Sequence, residues 1–227
     1  MQQIEEKHPH GGNWLREIVF GLNDGLVTTL VFLMAVSSTA VTHLLMIVLG
    51  EVMAGGVSMA LGGFLSARTE QEVRDHQIDI ERYEVKHEPD EERAELRSIY
   101  QRKGFQGPLL DRVINHLTAN EDRWHMAMVH DELGIVEDTP INPWLRGIQI
   151  GLSFVMGGLI PSLPLILALP YQQWWAYALT AITALSLGAI KARYTNKGPL
   201  RAGLEFLIVV TIGTLAGVAL GFLLHTA

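Results

Sequence analysis

No cysteine occurs among the 227 residues, which excludes disulfides, thiolate metal sites, iron–sulfur clusters and cysteine nucleophiles. Charge is scarce as well: Asp, Glu, Lys and Arg make up 18% of the chain, against roughly a quarter in an ordinary soluble domain. The charge present leans acidic, 24 Asp and Glu against 17 Lys and Arg for a net of −7, so nucleic acid is not an expected partner. The sequence also lacks a Gly-x-Ser-x-Gly elbow, a phosphate-cradling glycine loop and a His-Glu-x-x-His pair. Glu84 to His87 is one Glu-x-x-His, where a di-iron bundle needs two. With no complete metal triad and no nucleophile–base pair, an enzyme is not expected.

Apolar sequence is abundant. Hydrophobic residues reach 48% and gather in five runs, Ile18 to Ala40, Leu44 to Ala67, Trp144 to Leu169, Trp174 to Ile190 and Leu204 to Leu224. Each approaches or exceeds the roughly 17–25 residues that cross a bilayer as a helix, and the polar remainder is too small to cover five buried helices. The first run follows Glu5, Glu6 and Glu17 and has no clear cleavage site, so it reads as a span rather than a secretory leader. The reading is all-α: a polytopic membrane protein with five transmembrane helices. Its parts are residues 1–67 with spans one and two, an acidic helical insert over 68–140, and residues 141–227 with spans three to five.

Charge placement sets the orientation. Residues 68–138 hold 18 acidic and 10 basic residues, and all 17 Lys and Arg fall on the side that holds the N-terminus, the insert and the 191–203 loop. The positive-inside rule therefore puts the N-terminus and the insert in the cytoplasm and the C-terminus outside. Trp14-Leu-Arg-Glu-Ile-Val-Phe-Gly-Leu22 and Trp144-Leu-Arg-Gly-Ile-Gln-Ile-Gly-Leu152 agree at six of nine positions. This is either a parallel duplication of two-span units or one interfacial anchor used twice.

Two carboxylates lie inside spans, Asp24 in the first and Glu51 in the second. At a cost of about 2.5–3.5 kcal/mol each on insertion scales, such groups face a protein interior or water and mark a pathway. Glu51, Gly55 and Met59 share a helix face. Counted from Glu17 and Ser66, Asp24 and Met59 both lie about 10 Å deep, with Glu51 about 12 Å further out. A hard carboxylate level with a soft thioether suits a borderline transition metal. One chain supplies too few ligands for six-coordination, so a two-fold dimer that pairs these residues is expected. Gly55, Gly56, Gly62 and Gly63 would allow close helix approach. Gly157, Gly158, Pro161 and Pro164 predict a kinked or interrupted third span.

In the insert, the second span is predicted to continue as a helix to about His87, with a new helix after Pro89 and a third over Glu121 to Leu133. Glu81 with Glu84, Glu92 with Glu95, and Met128 with Glu132 each share a helix face. Such a three-helix insert could gather oxygen ligands and one sulfur around cations. It could equally be a solvated face laced with salt bridges through Arg82, Lys86, Arg93 and Arg97.

Asp24-Gly-Leu26, Glu51-Val-Met-Ala-Gly-Gly-Val-Ser-Met-Ala-Leu-Gly-Gly63 and Gly157-Gly-Leu-Ile-Pro161 resemble the vacuolar iron transporter family, over nearly the whole chain. The resemblance implies five spans, a dimeric pore, a cytoplasmic metal-binding domain, and export of Fe²⁺, often Mn²⁺ and other divalent ions, in exchange for protons. It implies Asp24, Glu51 and Met59 as the transport path and Glu81, Glu84, Glu92, Glu95, Met128 and Glu132 as cytoplasmic ligands. It implies no prosthetic group, the divalent metal being bound and carried. Val129 stands where relatives can have a second Met. Short outer loops and a short N-terminus favour a bacterial inner membrane over a vacuolar one. The rival from another class is a non-transporting membrane metal sensor or adaptor.

Overall fold

The computed structural model describes residues 12–36, 43–135, 142–195 and 198–226. Glu5, Glu6, Lys197, the C-terminal end of the first apolar run and the 140/141 boundary lie outside them. All regular structure among the described residues is helical: α1 (Gly12–Val36), α2 (Leu44–His87), α3 (Pro89–Arg102), α4 (Gly107–Leu117), α5 (Glu121–Asp131), α6 (Pro143–Ile166), α7 (Gln172–Thr195) and α8 (Pro199–Thr226). Five of them, α1, α2, α6, α7 and α8, are long and apolar enough to cross a membrane.

Helix boundaries follow local chemistry. Pro89 sits in the first turn of α3, ahead of Asp90, Glu91 and Glu92, where a missing N–H costs nothing and acidic side chains meet the positive end of the helix dipole. Asn120 caps α5, its side-chain oxygen accepting from the Arg123 backbone N–H at 3.0 Å. Helix α4 is not among the helices expected from the sequence. Gly104 and Gly107, both at positive φ, and Pro108 read as a loop there. Yet Leu110, Ile114 and Leu117 recur at helical spacing, and burial of Leu110 and Ile114 settles the segment as helix.

The chain divides into two compact units, residues 1–65 with 143–227, and residues 66–142; α2 contributes to both. In the first, the two Trp-Leu-Arg segments open α1 and α6, which run in the same direction in close contact. A Cβ on Gly25 would strike the Phe154 carbonyl, and one on Gly157 the Leu22 carbonyl, so only glycine admits this approach. At one end of the pair, the Glu17 carboxylate accepts from the Arg146 guanidinium at 2.8 Å and from Arg16 at 3.1 Å. Glu17 itself is buried, which such double pairing makes tolerable. Gly151 and Gly56 bring α6 and α2 together in antiparallel fashion, with Gly63 against Ile150 and Gly147. Leu30, Leu33, Val48, Ala176, Ala184 and Val210 form the core. Helix α6 continues through Pro161 and Pro164 without interruption, and the Ser162 hydroxyl donates to the Gly158 carbonyl at 2.8 Å.

The second unit is a small helical cluster around Val85, Leu96, Leu110, Ile114, Trp124 and Met128. His125 reaches the Ile78 carbonyl at 3.1 Å and ties α5 to α2.

Candidate functional site

In the second unit three carboxylates converge from three helices. Glu81 projects from α2, Glu92 from the first turn of α3, and Glu132 stands one residue beyond α5. One oxygen from each lies within 4.8 Å of the other two. Glu81 and Glu92 are only 3% and 5% exposed, whereas Glu132 is open to solvent. Among the described residues, Glu81 Oε1 and Glu92 Oε2, both sealed from water, have no hydrogen-bond partner. Buried acceptors are almost always satisfied, and leaving one unpaired costs on the order of 1–3 kcal/mol, more when it is charged.

The electrostatics follow from this crowding of carboxylates. Burial pushes the Glu81 carboxyl up to about 8, with further upward pressure from Glu132, Glu92 and Glu84. Burial likewise lifts Glu92 to about 6, while its hydrogen bond with Glu81 pulls in the opposite direction. Glu132 is raised too, by burial first and then by Glu95 and Glu84. Burial and mutual repulsion thus favour a proton on the Glu81–Glu92 pair, which titrates as a unit. A divalent cation placed among the three oxygens would displace that proton and satisfy the orphaned acceptors. An all-carboxylate set is hard, of the kind that Mg²⁺, Ca²⁺, Mn²⁺ and Fe²⁺ accept.

Of the six insert residues singled out in the sequence, the structure gathers these three. Glu84 is half-buried and Glu95 exposed; among the described residues both stand outside the close set and act on it through space. Glu95 and Glu132 line a neighbouring cavity of about 300 Å³ with Ser98, Ile99 and Arg102. Met128 is fully buried in the apolar cluster beside Leu96 and Trp124. Two polar groups had no role in the sequence reading: the buried Trp124 indole N–H, which has no partner among the described residues, and His125, five residues from His130 but outside any zinc motif. Their burial depends on how α4 and α5 close over α2 and α3, and nothing in their spacing signals it.

In the first unit, Asp24, Glu51 and Met59 are all half-buried within apolar helices. The Glu51 carboxylate accepts from the Thr29 hydroxyl of α1 at 3.0 Å, which ties α2 to α1 across the bundle. Asp24 accepts from Thr28 on its own helix at 3.5 Å. One position before Asp24, the side-chain oxygen of Asn23 is buried and has no partner among the described residues. Thr29 could have been suspected from sequence, since its depth on α1 falls between those of Asp24 and Glu51.

The chain is similar to proteins from plants and protists. It is 30% identical to vacuolar iron transporter 1 of Tulipa gesneriana, over 97% of this chain and 91% of the relative. It is 30% identical to vacuolar iron transporter 1 of Arabidopsis thaliana, over 95% and 88%, and 24% identical to the vacuolar iron transporter of Plasmodium berghei, over 97% and 86%. Residues 15–222 match the VIT family. With a match from the start of α1 almost to the end of α8, and spans and glycine contacts that accord with it, the chain belongs to the VIT family.

Proposed function

We propose that this protein moves divalent transition metal ions, Fe²⁺ foremost and Mn²⁺ as well, out of the cytosol in exchange for protons. The family is one of transporters rather than enzymes, and the relatives are named for iron. The observation that carries the reading to this chain is the Glu81–Glu92–Glu132 set with its two orphaned oxygens. Such a set is built to exchange a proton for a cation. In this reading the insert faces the cytoplasm, captures the ion and raises its concentration at the inner mouth, with Glu84, Glu95 and Met128 as further ligands. Asp24 and Met59 then take the ion, and Glu51 relays metal or protons outward.

A two-fold homodimer completes the path. Along α2, Met46, Met53, Val57, Leu61 and Leu65 are exposed in the protomer and a Cβ on Gly62 would meet open space, so this face has room for a second copy. The charge asymmetry and minimal outer loops favour a bacterial inner membrane with the C-terminus outside. Proteoliposomes with an imposed pH gradient test the proposal. Wild type should accumulate Fe²⁺ at the expense of the proton gradient, and Asp24→Ala should lose at least about ten-fold in rate, a loss seen even when only a group that orients a ligand is removed; transport by Asp24→Ala at the wild-type rate would refute the path. The sensor or adaptor reading predicts metal binding by the insert with no flux at all.

A further inference from the structure

Glu132 poses a physical problem that Glu81 and Glu92 do not. It is the exposed member of the set and lies past the last turn of α5, where helix ends fray and side chains are free to swing. What fixes it sits one residue earlier. The Asp131 side chain is 12% exposed and ion-paired to the Lys103 ammonium. It also accepts a hydrogen bond from the Tyr100 hydroxyl. Lys103 in turn lies over the Tyr100 ring, 4.7 Å from its centre. Tyr100 is near the end of α3 and Lys103 caps it, so these contacts fasten the end of α5 to the end of the helix that carries Glu92. Behind Glu132 the chain is closed off as well: its N–H donates to the Met128 carbonyl at 2.8 Å, that of Ile135 donates to Val129 at 3.1 Å, and Gly134 takes positive φ.

We propose that Lys103, Tyr100 and Asp131 form a positioning latch that holds Glu132 at ligand distance from Glu81 and Glu92, and so sets the metal affinity of the insert without touching the metal. The inference rests on the capture reading above. The surroundings support it: the Asp131 side chain, nearly buried, is met by the Lys103 ammonium, the Tyr100 hydroxyl and the His130 ring, so its oxygens are taken up by the latch rather than by the cation site. The Tyr100 hydroxyl, half-buried and beside that carboxylate, is pushed up to about 12 and stays a donor.

The sign of one substitution separates this role from simple electrostatics. Lys103 is a cation near an acidic site, so deleting its charge should, through space alone, strengthen binding of a divalent ion. A latch predicts the reverse. In full-length protein in detergent titrated with Co²⁺ or Mn²⁺, Lys103→Met should weaken binding about ten-fold, the lower range for loss of a group that orients a ligand. Lys103→Arg should restore most of it, and Tyr100→Phe, which keeps the ring and loses only the hydroxyl, should weaken it about three-fold, the effect of one modest hydrogen bond. In an Glu132→Gln background Lys103→Met should cost almost nothing more, because the residue it positions is gone.

Wild-type or tighter affinity in Lys103→Met and Tyr100→Phe would overturn the latch, as would an undiminished loss in the Glu132→Gln background. Should Lys103→Met fail to fold, Tyr100→Phe and its pairing with Glu132→Gln decide alone. If wild type itself binds no better than Glu81→Gln/Glu92→Gln, it is the capture reading that fails.

Discussion

At the scale of single residues, the insert turns on one raised carboxyl. The folded pKa of Glu81 is about 8 against an ordinary 4.5. The neutral form therefore favours the metal-free fold: that contribution is complete below about pH 4.5 and is lost as pH rises through about 8. Glu81→Gln remains neutral throughout. In chelator near pH 8 the variant should melt at a higher temperature than wild type, and near pH 4 the two should coincide. The same variant should lose most of its Co²⁺ or Fe²⁺ binding, so gain of metal-free stability and loss of affinity arise together. Calorimetry in buffers of different ionisation enthalpy should also show wild type releasing protons on binding metal near neutral pH and progressively fewer in alkaline buffer. Proton release that is absent near neutrality would mean that the shared proton is not what the cation displaces.

At the scale of helices, close backbone approach does what a large apolar core does in a soluble protein. Gly25 and Gly157 set the α1–α6 contact, and in lipid such packing carries much of the association energy. Gly25→Ala should destabilise the protein by about 1–3 kcal/mol, the usual cost of overpacking, read as a lower melting temperature in detergent. Gly50→Ala, where a Cβ would meet nothing within 4 Å, should stay within about 0.5 kcal/mol of wild type.

The spans were legible in the sequence because unbroken apolarity over twenty residues has few other uses. The end of α2 at His87 and the start of α3 at Pro89 were legible because proline sits readily in a first turn and poorly in a helix interior. Helix α4 was not, since its flanking glycines and Pro108 speak for a loop and only burial of Leu110 and Ile114 outweighs them. For the site, helical spacing paired Glu81 with Glu84 and Glu92 with Glu95. It could not say that one member of each pair would turn inward while the other stayed half-buried or exposed. That choice depends on how α3 and α5 pack on α2, which no local pattern encodes. Lys103 and Tyr100 went unnoticed for the same reason: their partner lies 28 residues downstream of Lys103.

At the scale of the whole molecule, the distribution of charge makes a prediction that needs no transport assay. Since the native chain has no cysteine, single replacements give clean labelling sites. Ser98→Cys in the insert should react with an impermeant maleimide only in inside-out vesicles. Tyr171→Cys, 79% exposed between α6 and α7, should react only in right-side-out ones. Labelling of both from one side would contradict five spans, and the reversed pattern would invert the direction of transport argued above.

The two sealed carboxylate oxygens have a last consequence beyond the capture proposed above. A fold that keeps acceptor oxygens dry with nothing to bind is poorer in free energy than one in which a cation satisfies them, so whatever binds there also acts as ballast for the insert. A cell short of metal would hold a looser, more protease-sensitive protein, and one with plenty a sturdier one. The amount of protein would then follow the supply it handles, with no separate regulator required.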